Sequence, residues 1–147
     1  MILHTIRQLL QTDVWVGGPT GFGASIYSGS APQDLAGYFV VLHLISQSEG
    51  HSHDGPNGFV TGRVQIDAWG DTYEKAHKLA RGIHDALDGW KGTHPTTGLE
   101  IAFIEQEATR DLSNSTPRGG DMPTSYGVST DFKFAHQQQP VTTPVPA

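Results

Sequence analysis

The chain predicts an α+β fold: a mostly antiparallel sheet of four to five strands with two helices packed on one face, in the order α-β-β-β-α-β-β. Apolar residues recur at helical spacing in two segments only, near residues 2–10 and 73–87. Elsewhere they alternate or run together at strand length, punctuated by 18 Gly and 9 Pro. Two one-sided helices and several short strands bury their apolar surfaces most simply as helices laid on a single sheet.

Ile2, Leu3, Ile6, Leu9 and Leu10 open the chain as a short amphipathic helix ending near Thr12-Asp13. Gly17–Gly23 is too glycine-rich for regular structure and reads as a loop, followed by a brief strand at Ala24–Tyr27. Tyr38–Ile45 is nearly all apolar and rich in aromatic and β-branched residues, which predicts a strand buried on both faces. The polar stretch Ser46–Gly58 then reads as a turn or hairpin tip. From Phe59 to Trp69 the pattern alternates, with Val60, Gly62, Val64, Ile66 and Ala68 toward the core and Arg63, Gln65 and Asp67 on the opposite face. Asp71 and Glu74 form a capping-box pattern for the second helix, whose stripe is Tyr73, Ala76, Ala80, Ile83 and Leu87, with Gly89 as its stop. Leu99, Ile101 and Phe103 mark a fourth strand. Arg110–Thr124 reads as a long polar loop, and Tyr126–Phe134 alternates as the last strand. Residues 1–136 therefore form one domain, and the Gln- and Pro-rich 137–147 form an extended or disordered tail.

A formal charge of −6 argues against a protein that grips nucleic acid through its net field. The absence of cysteine removes disulfides and thiolate zinc sites. No basic leader with a long apolar run opens the chain and no segment is apolar enough to span a bilayer, so a soluble protein made in a cytoplasm is expected. Of the eight histidines, His51 and His53 beside Asp54 could offer two imidazoles and a carboxylate to a metal. The motif lacks a third or fourth protein ligand and falls at a hairpin tip, where water is not excluded. His77 and His84 are two helical turns apart, poor co-ligands, and His43 within the apolar run reads as a hydrogen-bonded core or interface histidine. Gly17–Gly23 lacks the Lys-Ser/Thr of a phosphate loop, and no Gly-x-Ser-x-Gly elbow occurs. No catalytic, cofactor or metal residues are assigned, and the chain is not expected to be an enzyme.

The features that remain point to assembly: the face carrying Arg63, Gln65 and Asp67, the tip at His51, His53 and Asp54, and the loop with Arg110, Arg118 and Asp121. The ordered blocks Ile26-Tyr27, Ala31-Pro-Gln33, Tyr38-Phe-Val-Val41, Asp54-Gly-Pro-Asn-Gly58, Arg63-Val-Gln-Ile-Asp-Ala-Trp69, Tyr73-Glu-Lys-Ala76 and Ala86-Leu-Asp-Gly89 resemble the tail-completion (tail-terminator) proteins of long-tailed, siphovirus-type bacteriophages. The resemblance spans roughly residues 1–110; the loop and tail lie outside it. It implies a virion protein of the neck. Such a protein forms a ring, usually hexameric, on the head-proximal end of the tail tube, stopping its polymerisation and joining it to the head. The implied partners are other copies of the chain, the major tail tube protein and a head–tail connector or stopper protein, with DNA passing through the lumen without specific binding and no membrane contact. Three other readings stay open: another neck ring such as a head-completion or stopper protein, a metal-dependent enzyme using His51, His53 and Asp54, and a monomeric small-ligand binding module with a concave apolar pocket.

Overall fold

The computed structural model describes residues 2–30, 37–52, 55–112 and 126–137. Helix α1 (Ile2–Thr12) is followed by strands β1 (Ser25–Ser28), β2 (Phe39–Ser52) and β3 (Gly55–Gly70). Helix α2 (Tyr73–Leu87) precedes β4 (Gly92–Thr93), β5 (Glu100–Leu112) and β6 (Tyr126–Gln137). The six strands form one mixed sheet in the order β1-β2-β3-β6-β5-β4, in which only β1–β2 is parallel. The class is the α+β arrangement expected, but with more strands. The two-residue β4 has no apolar periodicity to announce it, being held by its pairing with Glu100 and Ile101.

Both helices lie on one face. Ile2, Ile6 and Leu10 of α1 and Leu79, Ile83 and Leu87 of α2 share a single core with Val40 and Leu42 of β2, Val64 and Ile66 of β3, and Phe132 and Phe134 of β6. This is the alternate set read from β3, so period-2 patterning located the core face. On α2 the stripe is shifted: Leu79 is fully buried, while Tyr73 is half exposed. Close packing explains Gly62, where a Cβ would stand 2.1 Å from the Ser46 carbonyl oxygen and 2.9 Å from the Phe134 ring.

Three boundaries differ from expectation. The Ser46–Gly58 stretch is not a turn throughout: β2 continues to Ser52 and pairs back onto β3 as far as Ser52↔Gly55. Backbone pairing needs no apolar side chains, so a polar two-stranded arm carries no hydrophobic signal. In β2 only Phe39–Leu42 is buried on both faces, and Leu44 and Ile45 are 39% and 54% exposed. Arg110 is not in a loop, because β5 runs to Leu112 in register with β6. Its polar residues alternate over two faces, one solvated and one lying beside α2, which erases apolar periodicity. The second helix is capped by Thr72, whose hydroxyl accepts from the Lys75 N–H, in place of Asp71. Asp71 instead accepts from the Gly37 N–H, 3.1 Å away. Gly89, with φ +80°, terminates the helix as expected. Gln137, the first residue of the expected tail, is the last residue of β6 and pairs with Phe59, and 138–147 lie outside the described residues. Among the described residues no helix is long and apolar enough to cross a membrane.

Candidate functional site

The helix-free face of the sheet gathers the site residues. Strand alternation puts Arg63, Gln65 and Asp67 of β3 on this side, opposite the residues that meet the helices. Register then brings neighbours alongside: Asp67 faces Val41 and Ser129, Gln65 faces His43 and Asp131, and Arg63 faces Ser46 and Lys133. On the far side of β6, Ser129 faces Arg110 and Lys133 faces Glu105.

A chain of polar contacts crosses four strands. Arg110 Nη1 donates to Asp131 Oδ2 at 3.0 Å, and Arg110 Nη2 donates to Gln65 Oε1 at 3.1 Å. Gln65 Nε2 donates to Asp67 Oδ1 at 3.0 Å, and Asp67 Oδ2 lies 3.5 Å from His43 Nε2. The hydrogen bond to Asp131 raises the Arg110 guanidinium above its already high range, so this cation persists at any working pH. Asp67 is only 8% exposed; its carboxylate is kept in the protein by these partners. Further along, Arg63 grips Glu107 with Nε–Oε2 at 2.9 Å and Nη2–Oε1 at 3.3 Å, a two-pronged pair. Lys133 lies 3.7 Å from Glu105 and 6.0 Å from the Phe103 ring centre.

The same face ends in an apolar patch. Phe39 and Trp69 stack with ring centres 6.0 Å apart, beside Val41, Tyr27 and Leu112. Gly127 makes this possible, since a Cβ there would meet the Trp69 ring at 2.8 Å. A groove of about 300 Å³ lies at the root of the β2–β3 arm, between Ser46, Thr61 and Arg63 and the side chains of Phe103, Glu107 and Lys133. On the helix side, Asp111 accepts from the Tyr73 hydroxyl at 2.7 Å and lies 2.9 Å from His77 Nε2, which is off-line for a hydrogen bond. That contact is electrostatic when the histidine is charged.

Four of the residues singled out from sequence therefore meet on one face: Arg63, Gln65, Asp67 and Arg110. His51 stands far out on β2, paired with Pro56. His53, Asp54, Arg118 and Asp121 lie outside the described residues. Sequence reasoning missed Asp131, Glu107, Lys133 and Glu105 as members of the network. The outward alternation of Asp131 and Lys133 was readable, but not that β6 inserts between β3 and β5. Among the described residues no three His, Asp or Glu side chains gather as a metal site requires.

This architecture is an α+β domain with a helical layer on one side and, among the described residues, a sheet face without helices on the other, polar along its middle and apolar at Phe39, Val41 and Trp69. No protein-family model and no curated protein matches the chain. Among solved structures, its fold is similar to that of a chain in the virion of a native gene transfer agent (GTA) particle. The two are 16% identical, with a TM-score of 0.61 over 90% of this chain and 91% of that one. At this identity the likeness is one of fold.

Proposed function

We propose that this chain is a structural protein of a phage-like virion, the ring subunit that closes the head-proximal end of the tail tube and joins it to the head connector. The observation that carries the virion part of the reading is the fold similarity to a chain of a gene transfer agent virion, which runs through nine-tenths of both chains. The place at the end of the tail rests on the ordered sequence blocks from Ile26 to Gly89, similar to those of tail-terminator proteins. In this reading the chain performs no catalysis. It makes a heterologous interface with its own copies around a closed, usually six-fold axis. It meets the major tail tube protein below and a connector or stopper protein above. A subunit of charge −6 suits a channel through which DNA slides, because a repelling wall does not hold the phosphates. The helix-free face, with Arg63, Gln65, Asp67 and Arg110, is the surface assigned to assembly.

Electron microscopy of particles assembled without this protein tests the reading. Filled heads lying apart from tails, some of the tubes overlong, are the expected result. Joined particles with tails of normal length would refute any role at the junction.

A further inference from the structure

The sheet has a stepped outline. On one side β1 covers β2 only along Phe39–Leu42, where the Gly29 N–H closes the step on the Leu42 carbonyl at 2.8 Å. Beyond it, the outer edge of β2 from His43 to Ser48 has no strand beside it among the described residues. On the other side β4 covers Glu100 and Ile101, and the exit of α2 covers the next positions. The Gly89 N–H bonds the Ile104 carbonyl at 2.8 Å, and Asp88 Oδ1 takes the Gln106 N–H at 2.9 Å. The outer edge from Glu107 to Leu112 then has no neighbouring strand among the described residues.

Open strand edges on proteins that stay single are guarded by lysines and other charges, prolines, bulges or covering elements. Neither lysine nor proline occurs in 43–48 or in 107–112, and each edge carries one register irregularity, at Leu44/Ser46 and at Gln106/Ala108. The charges of the second segment are drawn back onto their own subunit: Glu107 to Arg63, Arg110 to Asp131, Asp111 to Tyr73. On the first segment, Leu44 and Ile45 stand 39% and 54% exposed.

We propose that these two edges bind each other between copies, the Glu107–Leu112 edge of one chain pairing with the His43–Ser48 edge of the next. The partner is a second copy because the edges are complementary in two ways. Their directions fit: β2, β3, β6 and β5 alternate, so β5 of one copy meets β2 of an identically oriented neighbour antiparallel, the stronger pairing. Their steps fit too. Leu112 is level with Phe39 through Gly127 and Trp69, so the β5 edge lies low and the β2 edge lies high. When they pair, β1 of one copy ends below β5 of its neighbour, and the β2–β3 arm beyond Ser48 has to bend away from the Asp88–Gly89 cover, where its register is irregular between Glu49 and His51.

Bringing Leu112 opposite His43 takes a shift of about four residues, or roughly 14 Å at the rise of a strand. It is taken up across four strand spacings, roughly 19 Å, which corresponds to strands inclined by about 35° to the axis of assembly. An inclination of that size lets a stepped sheet close on itself without climbing into a helix. The inference rests on the ring reading above and adds to it the interface that joins the copies.

The absence of cysteine makes the test direct. Cysteine is placed at one β2 position (I45C, S46C or Q47C) together with one β5 position (A108C or T109C) in the full chain. Residues facing each other across an antiparallel pair have Cα atoms about 4.5–5.5 Å apart, inside the span of a disulfide. At least one of the six double variants is expected to give, on mild oxidation, a ladder of covalent oligomers ending at a fixed size, with no ladder from any single variant. If light scattering shows an oligomer but no pair forms a ladder, the edge pairing is overturned while the ring stands. If the chain stays monomeric up to its solubility limit and no pair cross-links, both are overturned.

Discussion

Replacing Asp67 with alanine separates a cohesive sheet face from a merely decorated one. Asp67 is 8% exposed and takes Gln65 Nε2 at 3.0 and 3.3 Å, with His43 Nε2 at 3.5 Å. Removing the carboxylate leaves the Gln65 amide without its intramolecular acceptor and loosens the side chain that positions Arg110 Nη2. Hydrogen bonds to a charged group contribute about 1.5–3 kcal/mol, so Asp67→Ala should destabilise the fold by about 2 kcal/mol. Asp67→Asn keeps one acceptor oxygen and should lose about half of that. Arg63 makes a pair of equally good geometry with Glu107, but its side chain is 58% exposed. Water and entropy discount that pair, so Arg63→Ala should cost under about 1 kcal/mol. For a chain of this length, roughly 3–4 °C of melting temperature corresponds to 1 kcal/mol. Thermal melts followed by circular dichroism should therefore show Asp67→Ala lower by about 7 °C and Arg63→Ala lower by about 3 °C or less. Equal shifts for the two variants would refute the view that Asp67 is the inner node of the network. Both chains should still fold at room temperature, and both should impair assembly of rings or virions. Normal assembly would remove this face from the proposed interface.

Leu79→Ala in the shared core should cost about 3 kcal/mol, since the leucine is fully buried between helix and sheet; urea titration should show a lower midpoint with an unchanged slope. Gly62→Ala should cost about 1–3 kcal/mol despite adding only a methyl group, because the obstruction at 2.1 Å is the Ser46 backbone; a melt equal to wild type would show that β2 shifts freely there. The hydrogen bond to Asp111, with burial and the nearby carboxylate charge adding to it, holds the Tyr73 phenol above its ordinary value of 10.0. Its contribution to stability is therefore complete below pH 10.0 and is lost as pH rises through the shifted value. Asp111→Asn should bring the phenolate absorbance transition, isolated by subtracting Tyr73→Phe, back toward the ordinary value; no movement would contradict the contact.

Sequence alone determined which residues are inside and which kind of element carries them. Alternation from Val60 to Ala68 and spacing through Ala76, Ile83 and Leu87 report burial directly, because one-sided burial in a strand or helix repeats with the backbone period. The same alternation placed Arg63, Gln65 and Asp67 on the outer face. It was silent where both environments of an element are polar or half-solvated, and so the outer reach of β2 and the end of β5 read as loops. Tertiary structure decided the rest. Inserting β6 between β3 and β5 brings Asp131 to Arg110, and β5 lays Glu107 beside Arg63. The partial covers over β2 and β5 depend on β1, Asp88 and Gly89 arriving from elsewhere in the chain. Strand order is set by the summed burial of all the elements, whereas periodicity is a property of each element separately; the second can be read along the chain, and the first exists only once the elements have packed.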